Sequence, residues 1–173
     1  MEVGITRISL SNAPQAAASS PFYAFGQAES TQTILLNGSG TPPFPENLIT
    51  LNGFSSVKNL TVDLVNSAIN FNTEGAYLLG INLNVQHGGN HDIVVYPRIN
   101  GNNDYYYTQV FNLHANPNGV SVYVGFTMLK TFSAGDNIQF YATTNGGGTS
   151  ITTDGLNNVN LSVRITANYV GTL

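Results

Sequence analysis

The sequence predicts an all-β protein of antiparallel strands, and three observations support this fold class. Apolar and polar residues alternate over several stretches of about nine residues, which is the pattern of strands with one buried face. Asn-Gly and Asp-Gly pairs, the strongest short-range hairpin signals, occur between these stretches. No window of helical length keeps its apolar residues at helical spacing without a glycine or asparagine interrupting it.

Residues 1–20 differ in composition from the rest of the chain. They contain the apolar residues Val3, Ile5, Ile8 and Leu10, followed by a stretch rich in Ala, Ser and Pro. An apolar segment on a linker of small residues is expected to be an arm that adds to a sheet edge on a partner. The alternative is that the arm folds back and forms an edge strand in the sheet of its own subunit or of a neighbouring subunit. We therefore expect an arm and linker at 1–20 and one domain at 21–173.

The clearest strand pattern occurs three times in the remaining chain. In each segment every second residue is apolar, so one face should lie in the core and the other should be exposed. These segments are Tyr77–Val85, Val120–Met128 and Val159–Ala167. They predict half-buried strands of an antiparallel sheet.

Weaker alternation predicts further strands at Ile93–Tyr96, Tyr105–Leu113 and Ile138–Ala142. Just before the last of these, Gly135-Asp136 is predicted to form a tight turn. Glycine accepts a positive φ there, and the aspartate can bind the backbone amides that follow it. Many short strands at even spacing indicate a sandwich or a barrel.

Composition excludes several classes of partner. Only 8% of the residues are charged, against roughly 25% in a typical domain, and polarity comes largely from 23 asparagines. The five basic residues are scattered, so no basic stripe is available for a phosphate backbone or an anionic membrane surface. No apolar run approaches the roughly 20 residues of a membrane span. We expect neither nucleic-acid binding nor membrane insertion.

Few patterns point to catalysis or to a cofactor. The sequence has no nucleophile elbow and no phosphate-binding loop, and its carboxylates lie apart. The segment from His87 to Asp92 could offer two imidazoles and a carboxylate to a metal, but a solvated hairpin loop is the favoured interpretation. The oxygen-rich segment Asn100–Asp104 lacks the acids of a calcium loop. We therefore expect no enzyme activity, no metal and no cofactor.

Three consecutive tyrosines, Tyr105 to Tyr107, form the most unusual motif of the chain. If they lie in a strand, Tyr105 and Tyr107 share one face and Tyr106 takes the other. Tyrosine is large, rigid and polar at its tip, so it suits both a core and a contact surface. Burial or subunit contact is the favoured interpretation, with Tyr106 as a candidate interface residue. Ligand contact by Tyr105 and Tyr107, for example to a host glycan, is the alternative.

Four segments in order resemble the complement globular-head and tumour necrosis factor superfamily. They carry its aromatic and Gly-x-Tyr spacing, its Asn-Gly turn, its Gly-Asp turn and its last strand. The segments are Ile69–Leu79, Ile93–Gly101, Phe132–Phe140 and Val159–Ala167. The resemblance covers about two thirds of the chain and departs from the family at Glu74, where proline is common.

This resemblance implies a jelly-roll sandwich of about ten strands that assembles as a homotrimer. A surface with so few charges lacks the usual protection of edge strands, and burial in a symmetric trimer would remove that hazard. Candidate contacts are residues opposite the alternating core face, Tyr123 and Leu129, together with Tyr106.

Two functions from different classes remain open at this point. The first is a non-enzymatic virion structural protein of a bacteriophage, such as a capsid decoration trimer, head fibre or receptor-binding knob. It would be made in the host cytoplasm without a signal peptide and be attached to a capsid or fibre protein through its arm. The alternative is a secreted complement-head-like domain that binds a glycan or a protein.

Overall fold

A computed structural model describes residues 24–36, 46–114, 121–153 and 161–171. Within these residues the chain is all-β, with antiparallel pairing throughout and no α-helix. The arm residues Val3, Ile5, Ile8 and Leu10, and the boundary at residue 20, lie outside the described residues.

The strands of the described residues form two sheets that pack face to face. The first sheet contains β1 (Phe25–Ser30), β2 (Ile34–Leu36), β4 (Gly53–Lys58), β7 (Gly75–Gln86), β11 (Val122–Phe132), β13 (Thr149–Ile151) and β14 (Val163–Gly171). The second sheet contains β3 (Asn47–Leu48), β5 (Leu60–Asp63), β6 (Ala68–Phe71), β8 (His91–Ile99), β9 (Asn102–Asn103), β10 (Gln109–Leu113) and β12 (Asn137–Thr144). The fold is therefore an antiparallel two-sheet sandwich.

Strand order shows how the sheets are connected. The first sheet runs β4-β1-β14-β7, and β11 pairs with the far side of β7. The second runs β5-β6-β12-β8-β10. From β6 to β8 and again from β11 to β13, each successive strand lies in the opposite sheet. These connections cross the sandwich instead of forming local hairpins.

The predicted alternation is confirmed in the described residues of β7, β11 and β14; Val120 and Val159, where two of the predicted segments begin, lie outside the described residues. In β7 every inward side chain from Tyr77 to Val85 is buried. Val124 and Met128 of β11, and Val163 and Ile165 of β14, also lie in the core. Because strand side chains alternate, these inward residues direct their neighbours to the outer face of the first sheet.

Two predicted turns are present. Asn100 and Gly101 both have positive φ, 49° and 80°, and join β8 to β9 as a two-residue hairpin, as expected for Asn-Gly. Gly135 has φ +92°, so the Gly135-Asp136 turn is confirmed. The aspartate, however, accepts a hydrogen bond from the preceding Ser133 amide (2.7 Å), not from the amides that follow it.

Two local predictions are wrong. Tyr105–Tyr107 is a 3₁₀ turn, here called the tyrosine turn, and the strand begins only at Gln109. The loop after β7 is not a solvated hairpin: it crosses between the sheets, and His87 is buried with its Nδ1 2.9 Å from the Gly89 carbonyl oxygen. The tyrosine turn is closed by local hydrogen bonds of its own backbone, which the alternation of apolar and polar residues does not predict.

An aromatic cluster joins the two sheets at one end of the core. Phe71 of β6 stacks on Phe132 of β11 with ring centroids 3.8 Å apart, and Tyr77 of β7 meets Phe71 edge-on at 4.7 Å. The Tyr77 hydroxyl donates to the Thr73 carbonyl oxygen at 2.8 Å, so its polar tip is satisfied. The cluster therefore ties three strands of both sheets together.

We expect Phe132→Ala to lower the free energy of unfolding by about 3–5 kcal/mol, because it removes a fully buried ring and leaves a cavity. Chemical denaturation monitored by circular dichroism measures this change. Phe54→Ala is the matched control, since Phe54 is more than half exposed, and should cost much less. Equal losses in the two variants would contradict the role of the cluster.

Candidate functional site

The outer face of the first sheet carries a row of apolar side chains. Leu78 of β7 is the register partner of Leu129 on β11 and of Asn168 on β14, which in turn pairs with Phe25 of β1. Phe25, Leu78 and Leu129 are 39%, 42% and 49% exposed. These three large apolar residues lie in one cross-strand row, here called the apolar row; Leu78 and Leu129 are adjacent, and the exposed Asn168 separates Leu78 from Phe25. Exposed apolar side chains grouped in this way favour an interaction surface.

Charge is sparse on this face. The outward residues of β1, β7, β11 and β14 include one acid, Glu29, and one base, Arg164, which are register partners, and the exposed Lys58 of β4 is the register partner of Phe25. Gly80 lies in the row between the apolar row and the Glu29–Arg164 pair, and Gly125 lies in the same cross-strand row as that pair. A Cβ at Gly125 would lie 2.6 Å from the Ile81 carbonyl oxygen, so this part of the face stays flat. A flat and weakly charged sheet surface suits close packing against another protein.

The edge of the same sheet is open along β11 within the described residues. β11 pairs with β7 alone. The backbone N–H of Asn84 donates to the Ser162 carbonyl oxygen, and the Asn84 carbonyl oxygen accepts from the Thr152 N–H, both on the side of β7 that faces β14. Successive residues of a strand direct their backbone groups to opposite sides, so the odd-numbered residues of β7 form the hydrogen bonds to β11. Gly125 and Thr127, opposite even residues of β7, therefore direct their backbone groups away from the sheet. An unpaired strand edge is a second feature that favours association.

At the end of the strands away from the apolar row, the same outer face contains a cavity of about 310 Å³. Its polar lining comes from Asn82 and Asn84 of β7, Tyr123 of β11, and Ser162 and Arg164 at the start of β14. Asn84 is only 1% exposed, and both its side-chain oxygen and nitrogen lack a hydrogen-bond partner. Burying an unpaired amide is costly, on the order of 1–3 kcal/mol per group. We call this feature the Asn84 cavity.

The tyrosine turn lies beside β11. Its backbone is closed by Tyr107 N–H to the Asp104 carbonyl oxygen (3.3 Å) and by the Asp104 carboxylate, which accepts from the Tyr106 amide. Lys130 of β11 forms an ion pair with Asp104 at 2.7 Å, and the Tyr107 hydroxyl donates to the Leu129 carbonyl oxygen at 2.7 Å. The turn is therefore fixed to the edge strand.

The three rings have different environments. Tyr107 is half-buried against β11, while Tyr105 and Tyr106 are 66% and 86% exposed. The Tyr105 hydroxyl accepts from the Asn103 side-chain amide at 2.7 Å, whereas no described residue bonds the Tyr106 hydroxyl. Tyr106 thus protrudes from a rigid turn. Tyr105 and Tyr107 do not share a strand face as the sequence predicted.

A polar cluster supports the turn from the second sheet. The Arg98 guanidinium donates to Glu46 Oε2 at 2.8 Å and to Asn103 Oδ1 at 2.7 Å, and lies 3.9 Å from the Tyr141 ring centroid. The Tyr96 hydroxyl makes no hydrogen bond of regular geometry, yet it lies near enough to lower the pKa of Glu46, together with Arg98 and Asn103. Burial, with Glu46 nearby, raises the pKa of Tyr96.

The residues named from the sequence occupy two places. Tyr123 and Leu129 lie on the outer face of the first sheet, and Tyr105 to Tyr107 lie on the tyrosine turn. Sequence reasoning missed Phe25, Leu78 and Asn84. Leu78 could have been found as the apolar exception on the polar face of its strand. Nothing local distinguishes Asn84 from the other asparagines.

Among the described residues no group of three His, Asp or Glu side chains could hold a metal ion, and no helix is long and apolar enough to span a membrane. No model of a known protein family matches the chain, and no curated protein sequence matches it. The family resemblance therefore stays a prediction.

Glu46 makes the stability depend on pH. Its pKa is lowered in the folded state, so its contribution is present above the unfolded pKa near 4.5 and is lost as the pH falls through the folded pKa. We expect the protein to lose more stability between about pH 6 and pH 3 than its Glu46→Gln variant does. The difference is at most about 1 kcal/mol, because Glu46 is partly exposed. Denaturation at a series of pH values measures it, and identical pH profiles would contradict this role.

Proposed function

We propose that the protein is a non-enzymatic virion surface protein that assembles as a homotrimeric jelly roll. The observation that carries the proposal is the apolar row, Phe25, Leu78 and Leu129, on a weakly charged face of the first sheet. Burying these side chains against a second copy would remove them from water at roughly 25 cal/mol per Å² of apolar surface. A chain that folds as an isolated monomer gains nothing from exposing them.

The strand connections support the jelly-roll part of the proposal. From β6 to β8 and from β11 to β13, successive strands lie in opposite sheets, as they do in double-sheet jelly rolls. The open edge of β11, at Gly125 and Thr127, lies next to the apolar row, because Leu129 of the row belongs to the same strand. A neighbour packed there would cover the exposed edge as well as the apolar side chains.

The tyrosine turn supports a role on a surface that meets other molecules. Tyr105 and Tyr106 are exposed on a backbone held by an ion pair and by hydrogen bonds, so little conformational entropy is lost on contact. The capsid or fibre partner and a host receptor are part of this proposal. They follow from the sequence resemblance and the apolar arm, and the receptor would be a glycan or a protein.

Leu129→Asp should convert the trimer to smaller species, because an unpaired charge in a buried contact costs several kcal/mol. Multi-angle light scattering at low micromolar concentration measures the mass. Tyr123→Asp, on the same face, should also weaken assembly more than folding. Val65→Asp is the control, since Val65 is fully exposed on the β5–β6 loop, and it should leave the trimer intact. A mass of one chain for the unsubstituted protein contradicts the proposal.

Deletion of residues 2–18 tests the attachment to a larger assembly. We expect the shortened protein to remain a soluble trimer and to lose its binding to the particle, because three arms act together and their weak contacts sum. Co-sedimentation with particles that lack the protein measures the binding. Loss of the trimer itself on deletion would instead assign the arm to the fold.

A further inference from the structure

The outer face of the second sheet contains a depression of about 270 Å³, here called the amide groove. Its lining is polar except at one residue and comes from β5, β6, β12 and the turn between β5 and β6. The lining residues are Asp63, Asn66, Ala68, Asn70, Asn137 and Gln139. The groove is slightly smaller than the roughly 300–1,000 Å³ of typical small-molecule pockets, so its size suits one small ring of a ligand.

Strand register explains why the depression exists. Ile69 of β6 and Ile138 of β12 are buried in the core, so their neighbours on both strands face outward. Ala68 is the register partner of Asp63, and it forms the floor of the groove with only 5% exposure. Longer side chains flank this floor, since β5 contributes Asp63 and β12 contributes Gln139. A small residue between longer ones therefore leaves a recess in the sheet face.

The β5–β6 turn at one end of the groove is fixed by hydrogen bonds. The Asp63 carboxylate accepts from the backbone amides of Val65 and Asn66, both at 3.0 Å, and from the Asn66 side-chain amide at 2.7 Å. These bonds, with the Asn66 side chain first, hold the pKa of Asp63 below its ordinary value, so the carboxylate is charged at neutral pH. The Gln139 side-chain amide donates to the Asn66 carbonyl oxygen at 2.7 Å. A wall that is already ordered loses little conformational entropy when a ligand binds.

The other end of the groove offers two amides that no described residue bonds. Asn70 and Asn137 are register partners, and both side chains are half-buried. Neither side chain makes a hydrogen bond within the described part of the chain. Register partners have Cβ atoms roughly 4.5–5.5 Å apart, so the two amides lie side by side. Each amide has one accepting oxygen and two N–H donors, so the groove presents donors and acceptors together to one ligand.

The charges of the groove disfavour an ionic or an apolar ligand. An anion would meet the charged Asp63 carboxylate. A cation would find a single carboxylate among the described lining residues, and its oxygens already accept three hydrogen bonds. An apolar group would remove water from the amides without replacing its hydrogen bonds, which is costly. The ligand that fits is therefore polar and uncharged.

Hydroxyl groups match the amides best. A hydroxyl donates and accepts, as the water that it displaces does, so it can bond either atom of an amide. A serine or threonine of a protein partner brings a single hydroxyl, whereas several amides surround this groove. A peptide also donates and accepts, but it binds in an extended form along a sheet edge, and this groove is a short recess on a sheet face. A neutral saccharide carries several hydroxyls on one small ring.

We propose that the amide groove binds one ring of a neutral saccharide, with the Asn70 and Asn137 amides bonding its hydroxyls and Ala68 lying under the ring. As a receptor site of a virion, the groove rests on the proposed function and narrows the receptor to a glycan. The groove is on the second sheet and the apolar row is on the first, so packing through the apolar row does not cover the groove. Three grooves on one trimer would act together on a polysaccharide, and their weak contacts sum.

NMR spectra of the side-chain amides test the site, because the N–H groups of Asn70 and Asn137 report directly on their contacts. The probes are the methyl glycosides of glucose, galactose, mannose and N-acetylglucosamine at millimolar concentration. At least one of them should shift the side-chain signals of Asn70, Asn137 and Gln139. The methyl glycoside of glucuronic acid should bind more weakly than that of glucose, because its carboxylate meets Asp63.

Variants separate the shape of the groove from its chemistry. Ala68→Leu fills the floor without removing a polar group and should abolish the shifts. Asn70→Ala and Asn137→Ala should each weaken binding by about tenfold, since each removes hydrogen bonds to the ring. Asn82→Ala is the matched control, because Asn82 is an exposed asparagine on the first sheet, and it should leave binding unchanged. Circular dichroism checks that every variant is folded.

The outcomes separate this inference from the proposed function. If none of these glycosides shifts the groove signals, or if the shifts persist in Ala68→Leu and in Asn70→Ala, the inference is overturned. A trimer measured by light scattering then leaves the homotrimer standing. Saccharide binding by a protein with the mass of one chain has the opposite meaning, since it supports the groove and overturns the homotrimer.

Discussion

Strand β7 is the element on which the rest of the molecule depends. It is paired on both sides, to β11 and to β14, and its inward residues from Tyr77 to Val85 are buried. Because the side-chain period of a strand is two, this buried set leaves β7 only one register. A slip of one residue would place Asn82 and Asn84 in the core. The identity of every outward residue of the first sheet follows from that register.

The same register places two unlike features on one face. Leu78, in the apolar row, and Asn84, in the cavity, are six residues apart on β7, which is about 20 Å at 3.3 Å per residue. The first feature exposes apolar side chains, and the second contains a buried amide that makes no hydrogen bond. Scarce charge on the face removes the repulsion that would otherwise oppose contact between identical copies.

The tyrosine turn shows where the sequence misleads. The alternation of side chains along a strand predicted that Tyr105 and Tyr107 share a face. Instead Asp104 caps a 3₁₀ turn, and its carboxylate forms an ion pair with Lys130. Lys130 is 26 residues further along the chain. A contact of this separation carries no local signal, and it overrides the strand preference of the aromatic residues. The burial of His87 has the same origin, since the loop after β7 crosses to the opposite sheet.

The sequence by itself determined the fold class, the inward faces of β7, β11 and β14, and the turns at Asn100-Gly101 and Gly135-Asp136. These features depend on periodicity and on backbone φ preferences, which neighbouring residues set. Tertiary structure decided that Phe25, Leu78 and Leu129 form one row and that Asn84 is buried without a partner. Those facts depend on the register between strands far apart in the chain, and register is fixed only when the whole core packs at once.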